Sequence, residues 1–225
     1  MKKVYVQTSG LEDWRKLLAQ PEKHWRKGYS ARSLACCWEE AGGIPKDVLA
    51  VISQAPYLTD LETLIVIPEH KVPLPGGERA SQNDCWVLAR TPNDLVSIAV
   101  EGKVSEPFGP TIGEWSKDSS SGKTERLIYL CSQLGIDIRL PESIRYQLLH
   151  RTASAVIEAK RFHAKQAVMV VHSFSQTAEW FDDYKAFASL FGANANIDEI
   201  VSVRNSRDID LHLAWVSGGE QYLKM

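Results

Sequence analysis

Apolar residues at positions 11, 14, 17 and 18 recur with a helical period, and residues 30–41, closed by Gly42-Gly43, carry a second helical pattern. A third short helix is expected over 46–53, opened by Pro45. The dense β-branched run 61–67, cut off by Pro68, predicts a strand. Residues 68–83 contain Pro68, Pro73, Pro75, Gly76 and Gly77, which predicts a long irregular loop of the kind that carries function. Runs at 85–90 and 95–103 flank Thr91-Pro92-Asn93-Asp94, whose turn residues predict an antiparallel hairpin. Helices are expected over 122–134, 143–162 and 180–190, and strands over 167–174 and 210–216. Helix, three strands, helices, strand is the order of a mixed α/β layer, and no linker divides it, so 1–225 reads as one domain.

A turn symmetric about Pro92 and Asn93 sets Thr91 against Asp94, Arg90 against Leu95 and Asp84 against Glu101. Alternation then puts Asp84, Trp86 and Leu88 on one face with Leu95, Ser97, Ala99, Glu101 and Lys103. The other face, with Cys85, Val87, Ala89, Val96, Ile98 and Val100, is apolar throughout and must be buried. Opposed carboxylates repel by up to about 1 kcal/mol. Lys103 offsets part of this, and a divalent cation held by hard carboxylate oxygens would offset more.

Composition narrows the classes. With 44% hydrophobic and 24% charged residues the chain is neither disordered nor fibrous. No apolar run approaches a membrane span, and Lys2-Lys3 precede no apolar signal core, so a cytoplasmic location without membrane contact is expected. Cysteines 36, 37, 85 and 131 form no C-x-x-C pair, which argues for reduced, buried thiols and against structural zinc. A net charge of −2 excludes an indiscriminate basic coat, yet 15–32 hold six Lys or Arg against one Glu, and 145–165 hold five against one. Ser121-Gly122-Lys123-Thr124 lacks the earlier glycine of a phosphate-binding loop, since Lys117 stands there, and it reads as a helix start. His172, inside an apolar run, reads as a core histidine, and Trp14 and Trp25 as packing residues.

Asn83-Asp84, sixteen intervening residues, and Glu101-Gly102-Lys103 at a strand end together resemble the PD-(D/E)XK nuclease superfamily. The resemblance covers residues 30–175 and implies a restriction endonuclease-like mixed sheet core (αβββαβ) flanked by helices, with an N-terminal helical segment over 1–29 and a C-terminal helix and strand extension over 176–225. It departs from the pattern at Asn83, where the eponymous motif has Pro. Glu39 or Glu40 could supply the acid that such families add from the first core helix. RecB-like members carry Gln-x-x-x-Tyr on the following helix; Gln147 fits its first position, and Arg151 stands in place of Tyr. The whole chain also resembles an uncharacterised bacterial family through Gly-Tyr-Ser-Ala at 28–31, Pro-Glu-His at 68–70, Ser-Gln-Asn-Asp at 81–84 and Tyr-Gln-Leu-Leu-His-Arg at 146–151.

The superfamily likeness implies a nuclease that hydrolyses phosphodiester bonds, with Mg²⁺ or Mn²⁺ held by Asp84 and Glu101 and the Gly102 carbonyl as a third ligand. Lys103 would orient the attacking water or stabilise developing charge; Gln147 joins the catalytic set, and His150 or Arg151 would contact substrate phosphate. Alanine at 84, 101 or 103 is expected to remove cleavage and leave the fold intact. DNA is preferred to RNA as partner, and a homodimer is compatible with the reading. The rivals are a non-catalytic nucleic-acid or protein-binding module that retains the fold, and a hydrolase of small phosphates. Glu69 and His70 fall in the expected loop, with nothing in the sequence to direct them.

Overall fold

Four helices open the computed structural model, which describes residues 5–118, 120–203 and 209–225. These are α1 (Leu11–Leu17), α2 (Pro21–His24), α3 (Ser30–Ala41) and α4 (Lys46–Ile52). Gly42, with φ 62°, takes the left-handed conformation that ends α3. Residues 1–4, where a signal core was sought, and Ser119 lie outside the described residues. Three strands follow, β1 (Glu62–Val72), β2 (Ser81–Arg90) and β3 (Leu95–Lys103). Next come α5 (Ile112–Ser116), α6 (Ser121–Leu134), α7 (Tyr146–Arg161) and β4 (Gln166–Ser173). The chain closes with α8 (Phe181–Ser189), β5 (Glu199–Val203) and β6 (Asp210–Ser217).

The strands make one mixed sheet in the order β1-β2-β3-β4-β6-β5. β2 runs antiparallel to both of its neighbours, β1 and β3, β4 is parallel to β3, β6 is parallel to β4, and β5 returns antiparallel to β6. The hairpin register runs from Cys85↔Val100 to Arg90↔Leu95, as the turn symmetry requires. The turn is closed by the Thr91 N–H donating to the Asp94 carbonyl at 2.9 Å.

Two expectations are corrected. The irregular loop over 68–83 is an extension of the sheet at both ends: β1 passes through Pro68 to Val72, β2 starts at Ser81, and only 73–80 connect them. β1 is an edge strand, where half the backbone N–H groups face away from the sheet and proline is tolerated. The helix expected from 143 begins at Tyr146, because Arg145 is spent on a β-bridge with Thr111. β5 is a five-residue edge strand whose sequence lacks clear alternation and so gives no strand signal of its own.

Both faces of the sheet are buried. On one, Cys85, Val87, Ala89, Val96, Ile98 and Val100 pack with Leu34, Ala35, Cys37 and Trp38 of α3 and Val48, Val51 and Ile52 of α4. On the other, Ala99, Ala167, Met169, Val171, Leu211, Leu213 and Trp215 meet Leu148, Leu149, Ala153, Val156 and Ala159 of α7. Trp38, Trp86 and Trp215 are wholly enclosed, and each contributes roughly 4–6 kcal/mol of transfer free energy at about 25 cal/mol per Å². The alanines on α7 and at Ala99 let that helix lie close to β3, which carries its polar side chains down onto the strand end. All four cysteines are free and buried, as expected. Among the described residues, no helix is long and apolar enough to cross a membrane.

Candidate functional site

Asp84 and Glu101 reach the same end of the hairpin, with the sheet below and α7 above. The Gly102 N–H donates to Asp84 Oδ2 at 2.9 Å, which ties the start of β2 to the end of β3. The packing at Gly102 is close: a Cβ there would lie 3.3 Å from Leu34 Cβ, a tight contact, and 3.5 Å from Asp84 Oδ2, an ordinary one. Lys103 Nζ donates to Glu101 Oε1 at 2.8 Å and sits 4.8 Å from the centre of the Phe108 ring. From α7, Gln147 Nε2 donates to the same oxygen at 2.7 Å, and Arg151 Nε donates to Glu101 Oε2 at 2.6 Å. Gln147 and Arg151 are four apart, one turn of helix, so both can reach one carboxylate. Arg151 also extends Nη2 to 3.9 Å from Asp84 Oδ1.

Polar residues of α7 beyond Gln147 are turned inward, not to solvent. Arg151, Ser154 and Glu158 are buried. Ser154 Oγ lies 2.8 Å from both the His150 carbonyl oxygen and Ser81 Oγ, and Ser81 Oγ lies 2.8 Å from His150 Nδ1. Burial, followed by the charges of Arg151 and Arg126, holds His150 well below its usual range and therefore neutral. Side-chain exposure is 2% for Glu101, 4% for Lys103 and 9% for Arg151, against 21% for Asp84. Asp84 is the open edge of the cluster.

A third carboxylate joins from β1. Pro68↔Cys85 and His70↔Asn83 flank Glu69 and set it across from Asp84, and Glu69 adopts φ 52°, a left-handed conformation rare for a residue with a side chain. Gln82 Nε2 holds its Oε2 at 2.5 Å. Ending the strand at Pro68 hid this residue; carrying the alternation past an edge proline would have exposed it. His70 turns the other way, buried 4.9 Å from the Trp86 ring centre and 3.4 Å from Glu158 Oε2, so it is a packing group and not one directed at substrate. Glu39 accepts hydrogen bonds from Trp14 Nε1 at 2.6 Å and Thr8 Oγ1 at 3.2 Å, and Glu40 is exposed. The residue of α3 that meets Gly102 is Leu34.

The three acids face two bases, and their protonation reflects the imbalance. Burial would raise Glu101, but Lys103 and Arg151 outweigh it and keep the carboxylate below its ordinary range. Burial first and the Glu101 charge second push Asp84 up to about 7, against the pull of Arg151, Lys103 and the Gly102 N–H. Burial and then the Asp84 charge push Glu69 up to about 8.

The other side of the sheet holds a second cluster. Among the described residues, Cys37, Asp47 and His172 are the three potential metal ligands whose donor atoms all lie within 4.8 Å of one another. His172 is buried, as expected, with its Nε2 3.2 Å from Asp47 Oδ2. Trp38 Nε1 donates to His172 Nδ1 at 3.2 Å. An indole N–H can only donate, so Nδ1 is the acceptor and the ring proton is on Nε2, facing Asp47. A metal on Nε2 would displace that proton to Nδ1, donor against donor. Burial and then Asp47 push the Cys37 thiol up to about 12 in the metal-free cluster, so the sulfur is protonated there. As hydrogen-bonded here, the cluster presents no free imidazole lone pair to a metal.

No curated protein and no solved structure matches the chain. Residues 7–220 match the family model described as a domain of unknown function, DUF6946, and the chain belongs to that family.

Proposed function

We propose that this protein is a metal-dependent nuclease with a restriction endonuclease-like core, acting on DNA in preference to RNA. The observation that carries the reading is the meeting of Asp84, Glu101 and Lys103 at one strand end beneath Gln147 of α7. Helix α3, strands β1 to β3, helix α7 and strand β4 follow the order αβββαβ. The donor set suits a hard cation. Oε1 of Glu101 has both lone pairs engaged, Oε2 retains one, and Asp84 retains one on Oδ2 and both on Oδ1. Asp84 and Glu101 would hold Mg²⁺ or Mn²⁺, with the Gly102 carbonyl beside them, and the ion would supply Lewis-acid stabilisation of phosphate charge and an acidic water.

The remaining work falls to the chain. Lys103, fixed by Glu101 and pressed on Phe108, keeps a positive charge where phosphate charge develops. Gln147 orients Glu101, and the half-exposed edge at Asp84 is where the substrate backbone enters. Plasmid and oligonucleotide cleavage with Mg²⁺, Mn²⁺ or chelator tests this. Asp84→Asn and Lys103→Met are expected to lower the rate by about 10² or more, the scale for loss of one charge-stabilising group. Turnover that survives chelation or Asp84→Asn overturns the assignment.

One observation favours the non-catalytic reading: Glu101, Lys103 and Arg151 are almost wholly enclosed and already satisfy one another. DNA affinity retained without metal-dependent turnover would select that alternative. Affinity falling steeply with salt would identify a polyanion as the ligand, since each neutralised phosphate releases counterions.

A further inference from the structure

We infer that Arg151 is a built-in counter-cation of this centre, supplying from α7 the second positive charge that a pair of metal ions would otherwise bring, so that the chain binds one divalent cation and not two. This rests on the metal-dependent reading of the site.

The geometry commits the guanidinium to the acids. Its Nε bonds Glu101 Oε2 at 2.6 Å, its Nη2 lies 3.9 Å from Asp84 Oδ1, and its Nη1 reaches Ser81 Oγ at 3.4 Å. Ser81 is itself held by Ser154 Oγ at 2.8 Å, so the fork is anchored from α7 and from β2. With 9% of the side chain exposed, Arg151 is part of the fabric of the centre and has little surface to offer a phosphate. An arginine stays charged under all conditions in which the protein is folded, so this is a permanent cation.

Charge then sets the stoichiometry. Glu69, Asp84 and Glu101 contribute −3 and Lys103 and Arg151 contribute +2, leaving −1 with every group ionised. Glu158, further along α7, has Arg161 at 3.0 Å and adds no excess. One divalent ion takes the centre from −1 to +1, whereas two would leave +3 in an enclosure where charges are weakly screened. In a two-ion centre the ions lie about 3.5–4 Å apart, and neither oxygen of Glu101 has two lone pairs left to join them, since Oε1 accepts from Lys103 and Gln147 and Oε2 from Arg151.

The test is the number of Mn²⁺ ions bound by the metal-free full chain, read by calorimetry and by the electron paramagnetic resonance of free Mn²⁺. One ion per wild-type chain is expected. Arg151→Gln is expected to bind two, and Arg151→Lys, which keeps the charge, to remain at one. Two ions on the wild-type chain, or one on a folded Arg151→Gln chain, overturn the inference and leave metal-dependent chemistry standing. No bound ion on the wild-type chain removes the metal-dependent reading itself. If Arg151→Gln does not fold, the wild-type and Arg151→Lys counts still decide: both must be one.

Discussion

The two faces of the central sheet each bury a cluster of ionisable side chains, and the clusters differ in how completely their proton positions are fixed. Beneath α3 and α4, Trp38 donates to His172 and His172 to Asp47, so one donor-only indole dictates every proton in the chain of bonds. Beneath α7, Glu69, Asp84 and Glu101 share only Lys103 and Arg151, and one negative charge is left without a fixed partner. A cluster whose donors and acceptors all match is a structural clamp. A surplus of carboxylate oxygens at a partly open edge is a place where a cation or a proton has something to gain.

Removing the common partner of the α7 cluster should have the largest effect. Glu101→Ala removes the carboxylate that accepts hydrogen bonds from both buried Lys103 and Arg151, leaving Arg151 only Asp84 Oδ1 at 3.9 Å, and is expected to destabilise the fold by about 3–5 kcal/mol, measurable by urea denaturation. That revises the expectation that alanine at 101 would spare the fold, because Glu101 is the post to which α7 is tied. A cost under about 1 kcal/mol would mean the ion pairs are not held as described.

A smaller effect is expected from Trp38→Phe on the opposite face, about 1–3 kcal/mol for leaving His172 Nδ1 unpaired, besides some loss of packing. The variant also frees the imidazole tautomer. Co²⁺ should then give a thiolate charge-transfer band from Cys37 in the variant and none at this cluster in the wild-type chain. A band that appears in wild type and vanishes in Cys37→Ser would sink the tautomer argument and make this the metal site.

The gentlest probe is pH. Asp84 and Glu69 have folded-state values raised above those of the unfolded chain, so their protons bind the folded state more tightly. Their contribution is complete below about pH 4 and is lost as pH rises through about 7 to 8. Metal-free stability should therefore fall from pH 5 to 8, with a limiting slope of about 1.4 kcal/mol per pH unit for each proton released. Asp84→Asn should flatten the profile, and so should saturating Mg²⁺. A profile that rises over this interval in thermal melts would show that burial and the neighbouring carboxylate charge do not hold these groups up.

Much of the architecture is legible before folding. The alternation in 85–90 and 95–103, with a short turn between them, fixes the register that sets Cys85 against Val100 and Arg90 against Leu95. Gly42 and Gly135 mark the ends of α3 and α6, and each adopts the left-handed conformation such positions favour. Pro68 hides the length of β1, because proline is excluded only from interior strands and the place of β1 at the sheet edge is a property of the whole sheet.

The sequence by itself determined the order of the elements, the hairpin register and hence the company of Asp84 and Glu101, because alternation and turn geometry are local and act over a few residues. Only the tertiary structure decided that α7 lies face down on that hairpin, that Arg151 is caged between two acids, and that Glu69 completes a third corner. The first two outcomes depend on contacts between residues far apart in the chain, Arg151 with Glu101 across 50 positions and Ser154 with Ser81 across 73, and the third on the pairing of β1 with β2. Charge, burial and proton position at such contacts are set by the whole enclosure.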